Sequence, residues 1–164
     1  MAVDRQLSRD LVSMEMEAAH ALASIYHWVI SVDLDALNVR VRMIAHNGDC
    51  YVVELALDDY RELPPAIEFI DPLTGEVGGN RCFPKGHDSF FHSTGPTICA
   101  PVNRNAYKRP NQRHGIHNDW AIGDWANSNV QSFPWADHAT ISGILCLIQN
   151  RLDRPQYYQG RMAS

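Results

Sequence analysis

No two cysteines in this chain stand two residues apart. Cys50, Cys82, Cys99 and Cys146 are the four present, and their spacing supports neither a zinc ribbon nor a thioredoxin-type motif. In a reducing cytoplasm they are expected as free thiols. The chain also lacks a basic run. A formal charge of −5 gives no electrostatic reason to expect nucleic acid or a membrane surface as a partner. No apolar stretch approaches the length that spans a bilayer. Asp4, Arg9, Asp10, Glu15 and Glu17 interrupt the first segment where a secretory signal would need an unbroken apolar run, so the expected location is the cytoplasm. Internal repeats and low-complexity tracts are missing as well. What is left is 164 residues, 45% of them hydrophobic. That suits a single domain, 1–164, around one core.

The patterning that is present divides the chain clearly. Val3, Leu7, Leu11, Met14, Ala18, Leu22 and Ile25 recur at helical spacing between charges, which predicts an N-terminal helix of about 20 residues. Residues 26–33 are rich in aromatic and β-branched side chains and predict a strand. In 38–44, Val39, Val41 and Met43 alternate with Arg40 and Arg42, the period of a strand with one wet face. Asn47-Gly48 marks a hairpin, because both residues tolerate positive φ. Residues 50–57 return as the next strand, and 66–70 form the last strand of a four-stranded antiparallel meander. Glycine and proline break up 71–88 into loop. A short extended piece is expected within 89–100, and mostly loop over 103–134. In 136–151, Ile141, Ile144, Leu145, Ile148 and, just beyond, Leu152 share one face of a second helix, with Asp137 as N-cap and Pro155 as its stop. The tail from Gln156 is expected to be exposed or loosely docked. Helix, meander, irregular crossover and helix together predict an α+β domain with the helices on one face of the sheet.

Within this order, 51–60 ends on Tyr60, and Pro64-Pro65 leads into 66–69 ending on Phe69. Then Gly95-Pro96-Thr97-Ile98-Cys99 sits on a loop, with Trp120 or Trp125 and a helix after it. This series resembles the ubiquitin-conjugating enzyme family. The resemblance runs from about Leu7 to Pro155. It implies the ubiquitin-conjugating fold, with Cys99 carrying a ubiquitin-like protein as a thioester. The partners it implies are that ubiquitin-like protein, an activating enzyme that supplies it and a protein acceptor offering an amine. No small cofactor is required, since the acyl adenylate is made upstream. The family's His-Pro-Asn motif is replaced here by Asp88-Ser-Phe-Phe-His-Ser-Thr94, and the stretch from Cys99 to the first tryptophan is long. These departures resemble divergent bacterial members found in operons with a ubiquitin-like protein, which implies a role in antiviral defence.

The chemistry asked of Cys99 explains its setting. A thiolate is both a strong nucleophile and a workable leaving group, as two successive acyl transfers require. Two large partners must reach it, which favours a loop bounded by Gly95, Pro96 and Pro101. Cys146 lies near the apolar stripe of the second helix, Cys50 opens a strand, and Cys82 between Arg81, Phe83 and Lys85 is its rival. Candidates to accept an amine proton or stabilise an oxyanion are His92, Asn103, Asn105, His117 and Asp119. Alternative readings remain. His87, His92, His114, His117 and His138 with Asp119 could build a zinc-binding domain or a metal-dependent hydrolase. A non-catalytic module binding a ubiquitin-like protein would keep the fold and discard the chemistry.

Overall fold

The computed structural model describes residues 4–108, 115–117, 125–126 and 138–163. A helix α1 (Arg5–Tyr26) leads into strands β1 (Val29–Asp33), β2 (Asn38–Ile44), β3 (Cys50–Ala56) and β4 (Ala66–Ile70). These four pair antiparallel in sequential order, the expected meander. A 3₁₀ turn at Asn80–Cys82 and strands β5 (Pro84–Gly86), β6 (Phe91–His92) and β7 (Thr97–Ile98) follow, then a second 3₁₀ turn at Arg104–Ala106. The second long helix, α2, covers Ile141–Asp153, and β8 covers Tyr158–Arg161. Among the described residues no helix is long and apolar enough to cross a membrane.

Register explains why the sheet has one dry face. Val39 faces Leu55, Val41 faces Val53 and Met43 faces Tyr51. Leu55 and Val53 in turn oppose Ile67 and Phe69. Every one of these side chains is buried. On the other face Arg40 opposes Glu54 and pairs with its carboxylate at 2.6 Å. A one-residue slip would exchange the two sets, so the alternation fixes the register. The β2–β3 turn closes as its Asn-Gly signal suggests: Gly48 takes φ 91°, and the Ala45 amide donates to the Asp49 carbonyl at 2.8 Å.

α2 lays Ile141, Ile144, Leu145, Ile148 and Leu152 into the core, all fully buried, as its spacing predicts. Its start differs. The N-cap is Thr140, whose hydroxyl accepts from the Gly143 amide at 3.0 Å. The expected Ala136 start and Asp137 cap lie outside the described residues. The helix ends at Asp153 because Arg154, held extended at φ −105° and ψ 119°, precedes Pro155 and cannot stay helical beside its ring.

Three further expectations fail. The face of α1 that enters the core carries Ser8, Val12, Met16 and Ala19; of the expected stripe Leu11 and Leu22 pack against the core, whereas Leu7, Met14 and Ile25 are 52%, 64% and 67% exposed. The helix has two apolar stripes, and polar anchors select between them. Glu15 accepts from the Tyr60 hydroxyl at 2.7 Å and from the Ile141 amide at 2.8 Å. Ser8 Oγ donates to the Tyr60 carbonyl at 2.8 Å. Small side chains at Ser8 and Ala19 permit that close approach. α1 also runs to Tyr26 before His27 caps it at φ 59°, so the first strand begins at Val29 rather than at residue 26. The tail is not loose. Tyr158–Arg161 pairs with β5, and Tyr158 is buried with its hydroxyl 2.7 Å from that of Tyr51 and donating to Asp49 at 2.8 Å.

Ile148→Ala is expected to destabilise the fold by about 2–5 kcal/mol through the cavity it leaves, while Met14→Ala stays within about 0.5 kcal/mol of the parent as a surface change does. Chemical denaturation measures both; equal midpoint shifts would refute the assignment of faces.

Candidate functional site

β6 and β7 form a small hairpin in which Phe91 faces Ile98 and His92 faces Thr97. The Cys99 amide extends the ladder by donating to the Phe90 carbonyl at 2.8 Å. Cys99 thus leaves the hairpin with its backbone fixed and its thiol half-buried. Phe90 is itself clamped. The Arg151 guanidinium of α2 lies over its ring at 4.7 Å and over Tyr157 at 4.2 Å, and is paired with Asp88.

The chain just after Cys99 docks on the open edge of β4. Asn103 is fully buried, and its carboxamide is spent on four contacts. Its Oδ1 accepts from the amides of Ile67 at 2.9 Å and Asn105 at 3.2 Å. Its Nδ2 donates to Thr97 Oγ1 at 3.1 Å and to the Ile98 carbonyl at 2.9 Å. Asn105 Nδ2 donates to Glu68 Oε1 at 2.8 Å, and the Arg104 amide donates to the Pro65 carbonyl at 3.1 Å. An edge strand with unpaired backbone groups needs such cover. Neither amide side chain retains the role of oxyanion donor considered from the sequence; Asn103 positions the loop instead.

His117 arrives from the other direction. Its amide donates to the Ala106 carbonyl at 2.9 Å, and its carbonyl accepts from the Lys108 amide at 2.9 Å. These bonds make a parallel bridge between Tyr107 and His117. The exposed imidazole then places Nε2 2.8 Å from Cys99 Sγ. Its ring lies 5.2 Å from that of Tyr107, tilted by 35°. Burial pushes the Cys99 thiol above its ordinary value. Burial first, and the nearby Cys99 second, push the Tyr107 hydroxyl up to about 12. Burial thus favours the protonated thiol, and His117 Nε2 lies within reach of the proton that the sulfur must lose as it attacks.

Of the expected site residues, Cys99 and His117 are brought together. His92 sits on β6, and among the described residues its buried Nδ1 has no partner. No hydrogen bond joins His92 to Cys99 among those residues. Asp119, His114 and Trp120 lie outside the described residues. Trp125 is fully buried and donates to the Arg61 carbonyl at 3.1 Å. The other thiols lack an imidazole partner among the described residues. Cys50 Sγ accepts from Arg42 Nε at 3.1 Å. Cys82 presses on Gly78, where an added Cβ would come within 2.3 Å of its own Cβ. Cys146, expected in the core, is only half-buried at its edge. Among the described residues no three His, Cys, Asp or Glu side chains gather as a metal site would need. Tyr107 was missed by sequence reading, since an aromatic in a polar loop carries no periodic signal. Comparison with protein-family models, with curated proteins and with solved structures finds no match.

Two outcomes are expected here. Asn103→Ala should cost about 1–3 kcal/mol, the penalty for buried groups left without partners; an unchanged unfolding midpoint would contradict its role. The thiolate absorbance near 240 nm, taken as the difference between the parent and Cys99→Ala, should step up on the alkaline side, above the ordinary free-thiol pKa of about 8.5. The sign follows from burial, which disfavours the charged form. A step below neutrality would instead reveal a preformed thiolate–imidazolium pair.

Proposed function

We propose that this chain is a conjugating enzyme that accepts a ubiquitin-like protein as a thioester on Cys99 and passes it to an acceptor amine. The observation that carries the reading is the 2.8 Å contact between Cys99 Sγ and His117 Nε2. It occurs on a loop that follows an N-terminal helix and a four-stranded meander. The order of elements, Tyr60 with Pro64-Pro65 before β4, and Cys99 beyond it support the likeness to the ubiquitin-conjugating family on which the reading also rests.

In the first transfer the Cys99 thiol gives its proton to His117 Nε2 while Sγ attacks the thioester carbonyl held by the activating enzyme. The new S–C bond forms, and the activating enzyme's sulfur leaves, taking the proton from the imidazolium so that His117 is neutral again. In the second transfer an acceptor amine attacks the Cys99 thioester. As the C–N bond forms, the attacking nitrogen gives a proton to His117 Nε2; the C–S bond breaks, and the imidazolium returns that proton to the departing Sγ. Each step needs a base that becomes an acid, a role suited to imidazole at neutral pH. His117 fills it without any metal or organic cofactor.

The test is a charging reaction with ATP, a matched activating enzyme and its ubiquitin-like protein, resolved on a non-reducing gel. A band of the adduct's size should form, disappear with thiol reductant and be absent in Cys99→Ala. Cys99→Ser should trap a reductant-resistant oxyester, because an alkoxide is the poorer leaving group. His117→Ala should slow charging by about 10²-fold or more, the usual share of a positioned general base. Normal charging of Cys99→Ala together with failure of Cys82→Ala would move the site to Cys82. Indifference to both substitutions with a verified partner pair would leave the binding-module reading.

A further inference from the structure

His117 is exposed, and an exposed imidazole is free to turn about its side-chain bonds unless something holds it. Among the described residues no side chain hydrogen-bonds its Nδ1. Besides Cys99, the side chain that meets the ring among the described residues is Tyr107. Three observations fix that contact. The parallel bridge sets the two residues side by side, so their side chains leave the backbone on the same face. The rings then meet at 5.2 Å with a 35° tilt, a separation within the range of favourable aromatic pairs. Tyr107 is itself tied down, its amide donating to the Arg104 carbonyl at 3.1 Å at the end of the 3₁₀ turn that Asn103 anchors to β4.

We infer that Tyr107 is the positioning residue of this site: its tilted ring packs against the imidazole and holds His117 Nε2 on Cys99 Sγ. The aromatic ring is the working part, and the phenolic hydroxyl is dispensable. A histidine base usually takes its orientation from a carboxylate or carbonyl on the second nitrogen; here a packed ring substitutes for that restraint. This inference rests on Cys99 and His117 reacting as a pair, and not on the nature of the acyl cargo.

The experiment therefore uses iodoacetamide rather than a protein partner. The Cys99 sulfur forms a bond to the methylene carbon, iodide leaves, and the thiol proton passes through His117 Nε2 to solvent. Alkylation of the Cys99 peptide of the full chain is followed by mass spectrometry at pH 7. His117→Ala should slow it by about ten-fold or more. Tyr107→Ala should lose the same factor, and Tyr107→Phe should keep the parent rate. In proton NMR, the His117 Cε1 proton should show a ring-current shift in the parent and in Tyr107→Phe that vanishes in Tyr107→Ala. Tyr107→Leu replaces the alanine variant if the latter fails to fold, and the same loss is expected of it. A slowed Tyr107→Phe would assign the role to the hydroxyl and overturn the inference. So would a normal rate in Tyr107→Ala or Tyr107→Leu while His117→Ala is slow. No effect of His117→Ala would overturn the Cys99–His117 pairing itself, and with it the base assigned under the proposed function.

Discussion

The geometry around Cys99 depends on one buried carboxamide. β4 is the last strand of its sheet, so one side of its backbone would face outward unpaired. The Asn103 side chain meets that edge at the Ile67 amide and simultaneously holds both the Thr97 hydroxyl and the Ile98 carbonyl. A carboxamide can do this because it offers an acceptor and two donors at fixed angles. The result is that the hairpin before Cys99 and the 3₁₀ turn after it are referred to the same strand. Cys99 lies between two anchored segments, and its position becomes a property of the sheet. Buried polar groups satisfied this completely specify geometry more than they add stability, since each bond replaces one made to water.

A second polar node sets the frame on which that strand rests. Glu15 of α1 takes bonds from Tyr60, ahead of Pro64-Pro65, and from the first amide of α2. Arg61 approaches it at 3.6 Å and donates to the Ala139 carbonyl. Three elements distant in sequence meet at one carboxylate, which also satisfies an otherwise orphaned amide at a helix start. Burial of the Tyr60 hydroxyl beside Glu15 raises its pKa strongly, so the phenol stays a donor. The Tyr60 to Pro65 connection is thereby held against α1 while its far end delivers β4.

How much of this was legible in the sequence follows from the range of the interactions. β2 and β4 were read at their observed limits, because alternation and proline restriction are local. The burial of Ile144 and Ile148 was legible for the same reason. The core face of α1 was legible only in part: Leu11 and Leu22 pack against the core, but its centre falls on Ser8, Val12 and Met16, set by Glu15 and Ser8 reaching residues more than 40 positions away. β8 was missed because four residues, Tyr158-Gln-Gly-Arg161, carry too little pattern to declare a strand. Cys99 could be singled out from its loop and His117 included among several polar candidates. Their pairing across 18 positions, and Tyr107 beside them, depend on a parallel bridge that no periodicity announces.

The raised Cys99 thiol bears on the proposed chemistry in a way a low-pKa cysteine would not. A cysteine with a strongly depressed pKa is ionised at rest, but the same stability of its thiolate makes it a ready leaving group. A thioester on such a sulfur is easily lost to any nucleophile, water included. Burial, which raises the Cys99 pKa, acts against both tendencies. Such a site works only if a base is present to activate the thiol and, once protonated, an acid to release the sulfur. Nε2 of His117 at 2.8 Å can serve in both states. For a carrier that must hold its cargo between two partners, the useful arrangement is a sulfur that is poor at both steps unaided and an imidazole placed to assist each one. In the proposed transfer, control of the acyl group would lie in the orientation of one exposed ring, and hence in whatever holds that ring in place.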